Sequence, residues 1–374
     1  MRWWPAPRVP SGPPQLSVVV PAYRVEHYLD ECLRSVLGQR VPLEVVVVDD
    51  GSPDRSGEIA ESWARRDSRV RVIHQSNRGL GAARNAGVEA SSAPYLTFCD
   101  SDDVVVDGAY AALLASAQRT GSEIVIGALE RFDGSRSSMG PLMLRNHREP
   151  RSRVTVREDP LLLADVFSVN KVFSRQFWLA QGLAFPVGVR YEDQPALTRA
   201  LLAASSIDVL TEVVYRWRIR ADGSSITQGR AEVADLADRV VTKRDSTALV
   251  EAVGDPAVRT VWFQQVLPVD MWEYFRASRH ADAEYWALLV SAMEEFWPQD
   301  ERGFETTTVP VQQRLMGVLV SQDRRQDLLT LLAAIDERGV HVGADGVLEL
   351  PFAGDPDLPP AAYTVSASER QTQG

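Results

Sequence analysis

The chain has 374 residues, 45% hydrophobic and 24% charged, which is enough for two domains and a sizeable core. Its formal net charge of −11 argues against a general nucleic-acid binder. Its two cysteines, Cys32 and Cys99, both lie in apolar stretches and fit a reduced cytoplasmic protein better than a disulfide-stapled one.

Met1 to Gln15 reads as a flexible lead-in, with no apolar core of a signal peptide, and no apolar run in the chain is long enough to span a bilayer. Leu16–Val20 is a β-branched run stopped by Pro21, hence a strand. Leu29, Cys32, Leu33, Val36 and Leu37 share one face of a helix over Glu26–Gln39. Leu43–Val48 is continuously apolar, as expected of a strand covered on both faces, and it ends in Asp49-Asp50-Gly51-Ser52. A helix over Ser52–Arg66, a strand Val70–His74 and a small-residue helix Gly79–Ala90 follow. Tyr95–Cys99 is the next strand, then a helix Gly108–Thr120 and a strand Glu123–Ala128. This alternation predicts an α/β fold with a mostly parallel sheet, whose ligands bind at the carboxyl ends of the strands.

Gly134–Asp159 is polar, basic and without period, and is expected to be a loop. Leu161–Phe167 resumes an apolar helix, Tyr191-Glu192-Asp193-Gln194 opens another, Asp208–Trp217 alternates as a strand, and Asp222–Thr227 is a Gly/Ser loop. From about Gln228 long helical patterns take over: Val233–Val253, Pro256–Arg276, Ala281–Phe296, Val309–Gln322 and Gln326–Arg338. Gly343–Phe352 reads as a hairpin or edge strand, and the Pro/Ser/Gln-rich end as disordered. The expected domains are a lead-in 1–15, an α/β domain 16–228 with halves 16–130 and 131–228, a smaller helical domain 229–353, and a disordered tail 354–374.

The chemistry concentrates where Tyr95–Cys99 runs into Asp100-Ser101-Asp102-Asp103. Three carboxylates in four residues repel one another, and a divalent cation bridging them to a phosphate relieves that repulsion; hard oxygen ligands suit Mg²⁺ or Mn²⁺. The other reading is a solvated acidic turn. Three strand ends, Pro21-Ala22-Tyr23, Asp49 to Ser52 and Asp100 to Asp102, are expected to converge on one crevice. Gly79-Leu80-Gly81 superficially matches a dinucleotide fingerprint, but position 84 is Arg and the run follows the third strand.

Val19-Val20-Pro21-Ala22-Tyr23, Val48-Asp49-Asp50-Gly51-Ser52, Gly79-Leu80-Gly81-Ala82-Ala83-Arg84-Asn85 and Phe98-Cys99-Asp100-Ser101-Asp102-Asp103, in this order and spacing, closely resemble the family 2 glycosyltransferases with the GT-A fold. The resemblance covers roughly residues 15 to 228. It implies a nucleotide-sugar donor, most often a UDP-sugar, and a divalent metal. By that resemblance Pro21, Ala22 and Tyr23 line the nucleoside pocket, Asp50 accepts from the uracil imide, and Asn77 and Arg84 contact the base or ribose. Asp100, with Ser101, meets the ribose or metal, and Asp102 ligates the metal. Glu192-Asp193 matches the family's acidic pair, with Asp193 as general base and Glu192 as its neighbour. Arg218 and Ser225 resemble the closing segment at the donor diphosphate, and Asn170-Lys171 a segment before the acceptor site.

The family reading implies an inverting transfer to a hydroxyl of a cell-envelope polymer, such as teichoic acid or capsular polysaccharide, or of a lipid-linked glycan. It implies a cytoplasmic enzyme, with the inner face of the plasma membrane as a candidate place of work, and no nucleic-acid partner. The helical module is a candidate for homo-oligomerisation or for peripheral contact with that membrane. The rivals are a retaining or nucleotidyl-type enzyme on the same nucleotide-binding half, and a nucleotide-sugar-binding scaffold without turnover.

Overall fold

The computed structural model describes residues 12–220, 229–365 and 369. Contacts divide the chain into two compact units, 1–225 with 248–253, and 226–247 with 254–374.

The first unit opens with strand β1 (Leu16–Ala22), every residue of which is buried, then helix α1 (Leu29–Leu37), β2 (Leu43–Asp49), α2 (Ser56–Arg66), β3 (Val70–His74), α3 (Leu80–Ala90) and β4 (Tyr95–Phe98). β5 (Val104–Val105), α4 (Ala109–Thr120) and β6 (Ile124–Phe132) follow. The sheet runs β3-β2-β1-β4, parallel throughout, because each strand returns through a helix that covers one face. Gly87 on α3 makes this covering close: a Cβ there would overlap the Val19 side chain of β1. α2 starts later than the sequence suggests. Asp54 Oδ1 accepts the Ser56 N–H (3.1 Å) and Oδ2 the Glu26 N–H (3.1 Å), which makes Ser52–Arg55 a turn.

The expected loop over 134–159 instead carries β7 (Ser137–Ser138), α5 (Pro141–Asn146) and β8 (Arg151–Val154). The expected helix Leu161–Phe167 is only a 3₁₀ turn, Pro160–Ala164, after which Asp165 turns inward. β9 (Lys171–Ser174), α6 (Arg175–Ala180), α7 (Asp193–Ala203) and β10 (Ile207–Arg218) complete the unit. β9 lies antiparallel between β4 and β6, β10 runs parallel to β6, and β5 closes that edge. Asp165, Asn170 and Lys171 form a buried polar knot beside β9: Lys171 Nζ donates to Asp165 Oδ1 (2.6 Å), Phe167 O (2.7 Å) and Asn170 Oδ1 (2.9 Å), and His147 meets Asp165 Oδ2 at 3.3 Å. Burial alone would raise the Asp165 pKa, but Lys171 and His147 outweigh it and hold it at about 2. Lys171 and Asn170 are fully buried here and hold the first unit together from within.

The second unit is helical: α8 (Val233–Val253) as far as Thr247, α9 (Pro256–Val261), α10 (Met271–Ala277), α11 (Ala283–Phe296), α12 (Gln299–Arg302), α13 (Val311–Ser321) and α14 (Arg325–Arg338). The single helix expected over Pro256–Arg276 is broken. Trp262–Val266 is a wider π turn, closed by Leu267 N–H to Trp262 O (2.8 Å), and Pro268 has no N–H to continue it. Trp297 and Phe304 pack edge to face at 4.9 Å in its core. Residues 354–365, expected to be disordered, are ordered: Val347 bridges to Thr364, and Leu358, Ala362 and Val365 are buried. Buried apolar side chains and hydrogen bonds from Arg314 to the carbonyls of Ala361 (3.0 Å) and Thr364 (2.7 Å) hold this Pro-rich segment. Among the described residues no helix is long and apolar enough to cross a membrane.

Candidate active site

Strand register brings the functional ends together. Ala22 pairs with Asp49, Asp49 with His74, and Val19 with Phe98, so β1, β2, β3 and β4 all end along one edge. At this edge Tyr23 is exposed, whereas the Pro21 and Ala22 side chains are buried in the strand. They belong to the sheet core and not to the exposed edge. The Ala22 carbonyl accepts from Asp50 N–H (3.0 Å) and Ser52 Oγ (3.3 Å), tying β1 to the turn after β2. Gly51, with φ +69°, sits so near the 75–77 segment that a Cβ would lie 2.9 Å from Asn77 N. Asn77 itself is exposed at the rim.

Asp50 does something other than wait for a base. It is 4% exposed, and its Oδ1 accepts from Gln75 Nε2 (2.7 Å) and Arg78 N–H (2.9 Å), its Oδ2 from Gly79 N–H (2.8 Å). The carboxylate thus builds the loop that leads into α3. Asp50→Ala is expected to cost about 2–4 kcal/mol of stability, since three donors to a charged acceptor lose their partner. Urea unfolding checks this; unchanged stability would return Asp50 to a purely ligand-facing role.

The acidic stretch after β4 is divided by environment. Asp103 is buried and structural: Tyr215 Oη donates to its Oδ2 (2.9 Å) and Arg218 N–H to its Oδ1 (2.7 Å). The same Tyr215 Oη accepts the Asp100 N–H (3.0 Å), so β10 fixes the backbone of the stretch. Ser101 is buried. The Asp102 carbonyl accepts from Arg218 Nε (2.7 Å) and its Oδ2 from Arg220 Nε (2.7 Å). Arg218 also reaches Glu31 Oε2 (2.7 Å) and lies over the Phe132 ring, so it brackets the acidic stretch. Arg220 is a site residue that the sequence reading missed; the Arg216, Arg218, Arg220 alternation on β10 and its extension was the available signal. Ser225 lies outside the described residues.

The Asp100 side chain remains a third exposed, with Arg84 Nη2 on its Oδ1 at 2.7 Å. Arg84 is the largest departure from expectation. It was expected to contact the base or ribose, but its side chain is 1% exposed and lies beneath the site. Its Nη1 donates to Glu192 Oε1 (2.5 Å) and to Asp193 Oδ1, and its guanidinium lies 5.1 Å from the centre of the Phe185 ring. Phe185 is held in turn by Asn85, which donates Nδ2–H to its carbonyl (2.8 Å) and accepts its N–H (2.9 Å). Gly81 permits this: a Cβ there would fall on the Pro186 carbonyl oxygen. Ser168 Oγ donates to Asp193 Oδ2 at 3.2 Å.

Asp193 is therefore oriented by both oxygens at the start of α7, and its side chain is about a quarter exposed, 24%, against 7% for Glu192. Burial pushes both acids up, Glu192 to about 7, with Arg84 pulling each back down. Burial opposes the charge on Arg84, but Asp193, Asp100 and Glu192 outweigh it and keep it charged.

The donor set on the other side fits a hard divalent cation. Burial pushes Asp102 up, Arg220 pulls it down and Asp100 pushes it up again, a repulsion that a cation between the two carboxylates would relieve. Among the described residues no three His, Cys, Asp or Glu side chains are grouped to hold a metal alone. Two carboxylates, Asp100 and Asp102, suit an ion whose remaining ligands come from a diphosphate and water. An open cavity of about 610 Å³ lined by Ser52, Asp54, Glu58, Glu61, Arg65 and His74 lies along α2 and shares no residue with this cluster.

A parallel-stranded half facing a buried acid pair across an arginine has the architecture of the GT-A fold. Residues 17–178 match the family model described as glycosyl transferase family 2, and the chain carries a family 2 glycosyltransferase domain. It is 33% identical over 210 residues to the uncharacterized glycosyltransferase EpsJ of Bacillus subtilis, covering 55% of this chain and 61% of that protein. It is 27% identical over 217–224 residues to two wall-polymer proteins. One is the poly(ribitol-phosphate) beta-glucosyltransferase of Bacillus spizizenii, with 57% of this chain and 33% of that protein covered, and the other is the minor teichoic acid biosynthesis protein GgaB of B. subtilis, with 57% and 24% covered. The chain spans about three fifths of the length of EpsJ. The crystal structure of S. aureus TarS 1-349 in complex with UDP-GlcNAc superposes with a TM-score of 0.66 over 94% of this chain and 99% of that one, at 19% identity, which establishes the shared fold.

Proposed function

We propose that the protein is an inverting, metal-dependent glycosyltransferase that moves a sugar from a UDP-sugar, of the UDP-GlcNAc, UDP-GalNAc or UDP-Glc type, to a hydroxyl of a cell-envelope polymer such as teichoic acid. A lipid-linked precursor is the alternative acceptor. One observation carries the reading: Asp100, on the donor side, and Glu192-Asp193, on the acceptor side, meet on a single buried guanidinium. Asp193 takes the proton of the acceptor hydroxyl as its oxygen attacks the anomeric carbon from the face opposite the departing UDP. One catalytic carboxylate on that face inverts the configuration. Asp100 and Asp102 are the residues that would hold a divalent cation, which when bound neutralises charge on the leaving diphosphate. Arg218 and Arg220 add positive charge beside Asp102. The UDP-GlcNAc named with TarS and the ribitol-phosphate polymer named for the B. spizizenii relative support donor and acceptor class.

Charge supports the placement of the acceptor. Residues 1–225 hold 27 basic and 27 acidic side chains, and residues 226–374 hold 13 and 24, so the net charge of −11 belongs to the second part. A phosphate-rich polymer is repelled there and meets no such barrier on the first unit. The same charge disfavours an anionic bilayer as the surface on which the helical unit rests. The test is calorimetric titration of UDP and UDP-sugars with Mn²⁺ and with EDTA. Metal-dependent binding of UDP and of one UDP-sugar is expected; binding of CDP, GDP or a dinucleotide instead would overturn the donor assignment.

A further inference from the structure

The sequence motif around Arg84 suggests a hand extended to the nucleotide, yet the side chain is buried and spends both terminal nitrogens on carboxylates from distant parts of the chain. Nη2 serves Asp100 after β4; Nη1 serves Glu192 and Asp193 at the start of α7. Nε has no hydrogen-bond partner among the described residues, and Phe185 lies against the guanidinium. A planar fork of this kind fixes distances between its partners, which an ammonium on a flexible stem does not.

We propose that Arg84 is the positioning residue that joins donor side to acceptor side: by gripping Asp100 with one nitrogen and Glu192-Asp193 with the other, it fixes the spacing between the donor site and the general base. It acts through Asp193 and touches neither substrate. This deepens, and rests on, the glycosyl-transfer reading above. The charged groups around Asp193 are Arg84 on α3, Asp100 after β4 and Glu192 beside it, with Lys171 of β9 acting from deeper in the unit. Removing the fork misaligns the base and leaves it among like charges. Both effects impair proton transfer rather than donor binding.

The test compares the full-length Arg84→Lys variant with the wild type in three measurements. Transfer kcat is expected to fall by roughly 100-fold, and the acid limb of its pH profile to move up by about half a unit or more. The Kd for UDP with Mn²⁺ is expected to change by less than about fivefold. A Kd that weakens in step with kcat, with the pH limb unmoved, would show that Arg84 binds the donor. Full activity in Arg84→Lys would also overturn the proposal. Carboxyl ¹³C titration of Asp193, assigned with Asp193→Asn, needs no turnover and should show a higher apparent pKa in Arg84→Lys; an unchanged value refutes the link. If the wild type transfers from no UDP-sugar, the glycosyl-transfer reading fails, while this titration still decides the role of Arg84. Should Arg84→Lys not fold, Glu192→Gln leaves Nη1 to Asp193 alone and should lower the Asp193 value; a value that stays or rises counts against the proposal.

Discussion

Asp193→Asn is expected to lower kcat for transfer by roughly 10³-fold, within the range that a positioned general base supplies, while UDP affinity stays within about twofold. The amide keeps the size of the side chain and can still meet Ser168 Oγ, which lies 3.2 Å from Oδ2, but it cannot accept a proton at working pH. Among the described hydrogen bonds and ion pairs, Asp193 is joined to Asp100 through Arg84, so the loss is expected to fall on the chemical step. The pH profile carries the second half of the argument. Asp193 and Glu192 titrate as a pair, both pushed up by burial, Glu192 to about 7. The base works ionised, so the wild-type rate should fall as pH drops through the raised pKa of Asp193, and the residual rate of Asp193→Asn should lose most of that dependence. Ordinary transfer by the variant would remove Asp193 from the mechanism. An α-linked product from an α-linked donor would instead favour the retaining rival.

The parts of the site legible in the sequence are those whose signal is local. Asp100 and Asp102 follow an apolar strand directly, and carboxylates crowded at a strand end stand out whatever lies opposite them. Glu192-Asp193 is assigned through its resemblance to the family's acidic pair; its local signal alone marks only the start of a helix, which is where the structure has it. The parts that were not legible depend on contacts between distant residues. Arg84 lies 108 residues from Glu192, and no window of sequence shows that its charge is consumed by that acid. Asp50 accepts from residues 25 to 29 positions on, so a loop-building carboxylate looks like a ligand-facing one. β9 is only four residues long, and its antiparallel insertion between β4 and β6 is decided by pairing, not by its own pattern. In the helical unit, the π turn over Trp262–Val266 keeps the apolar spacing of an α-helix closely enough that only the following Pro268 hints at the break.

Asp102→Asn separates a ligand-holding carboxylate from a structural one. Among the described residues this side chain is ion-paired with Arg220, and burial disfavours its charge. Asp103, by contrast, anchors Tyr215 and the Arg218 backbone, and is itself pushed well up by burial and then by Asp102 and Asp100. Removing the Asp102 charge therefore relieves repulsion on Asp103 while costing one contact to Arg220. Stability is expected to change by no more than about 1 kcal/mol, because the lost ion pair and the relieved repulsion oppose each other. Donor binding has no such compensation. UDP affinity in Mn²⁺ is expected to weaken by more than about 100-fold, on the order of 2.7 kcal/mol, while the affinity in EDTA stays where it was. Calorimetry with and without metal, beside urea unfolding, gives both readings on one preparation. Equal UDP affinity in Mn²⁺ and EDTA for the wild type would discard the metal. A variant that loses stability and metal-independent affinity together would make Asp102 a structural partner of Arg220 and leave the diphosphate charge to Arg218 and Arg220.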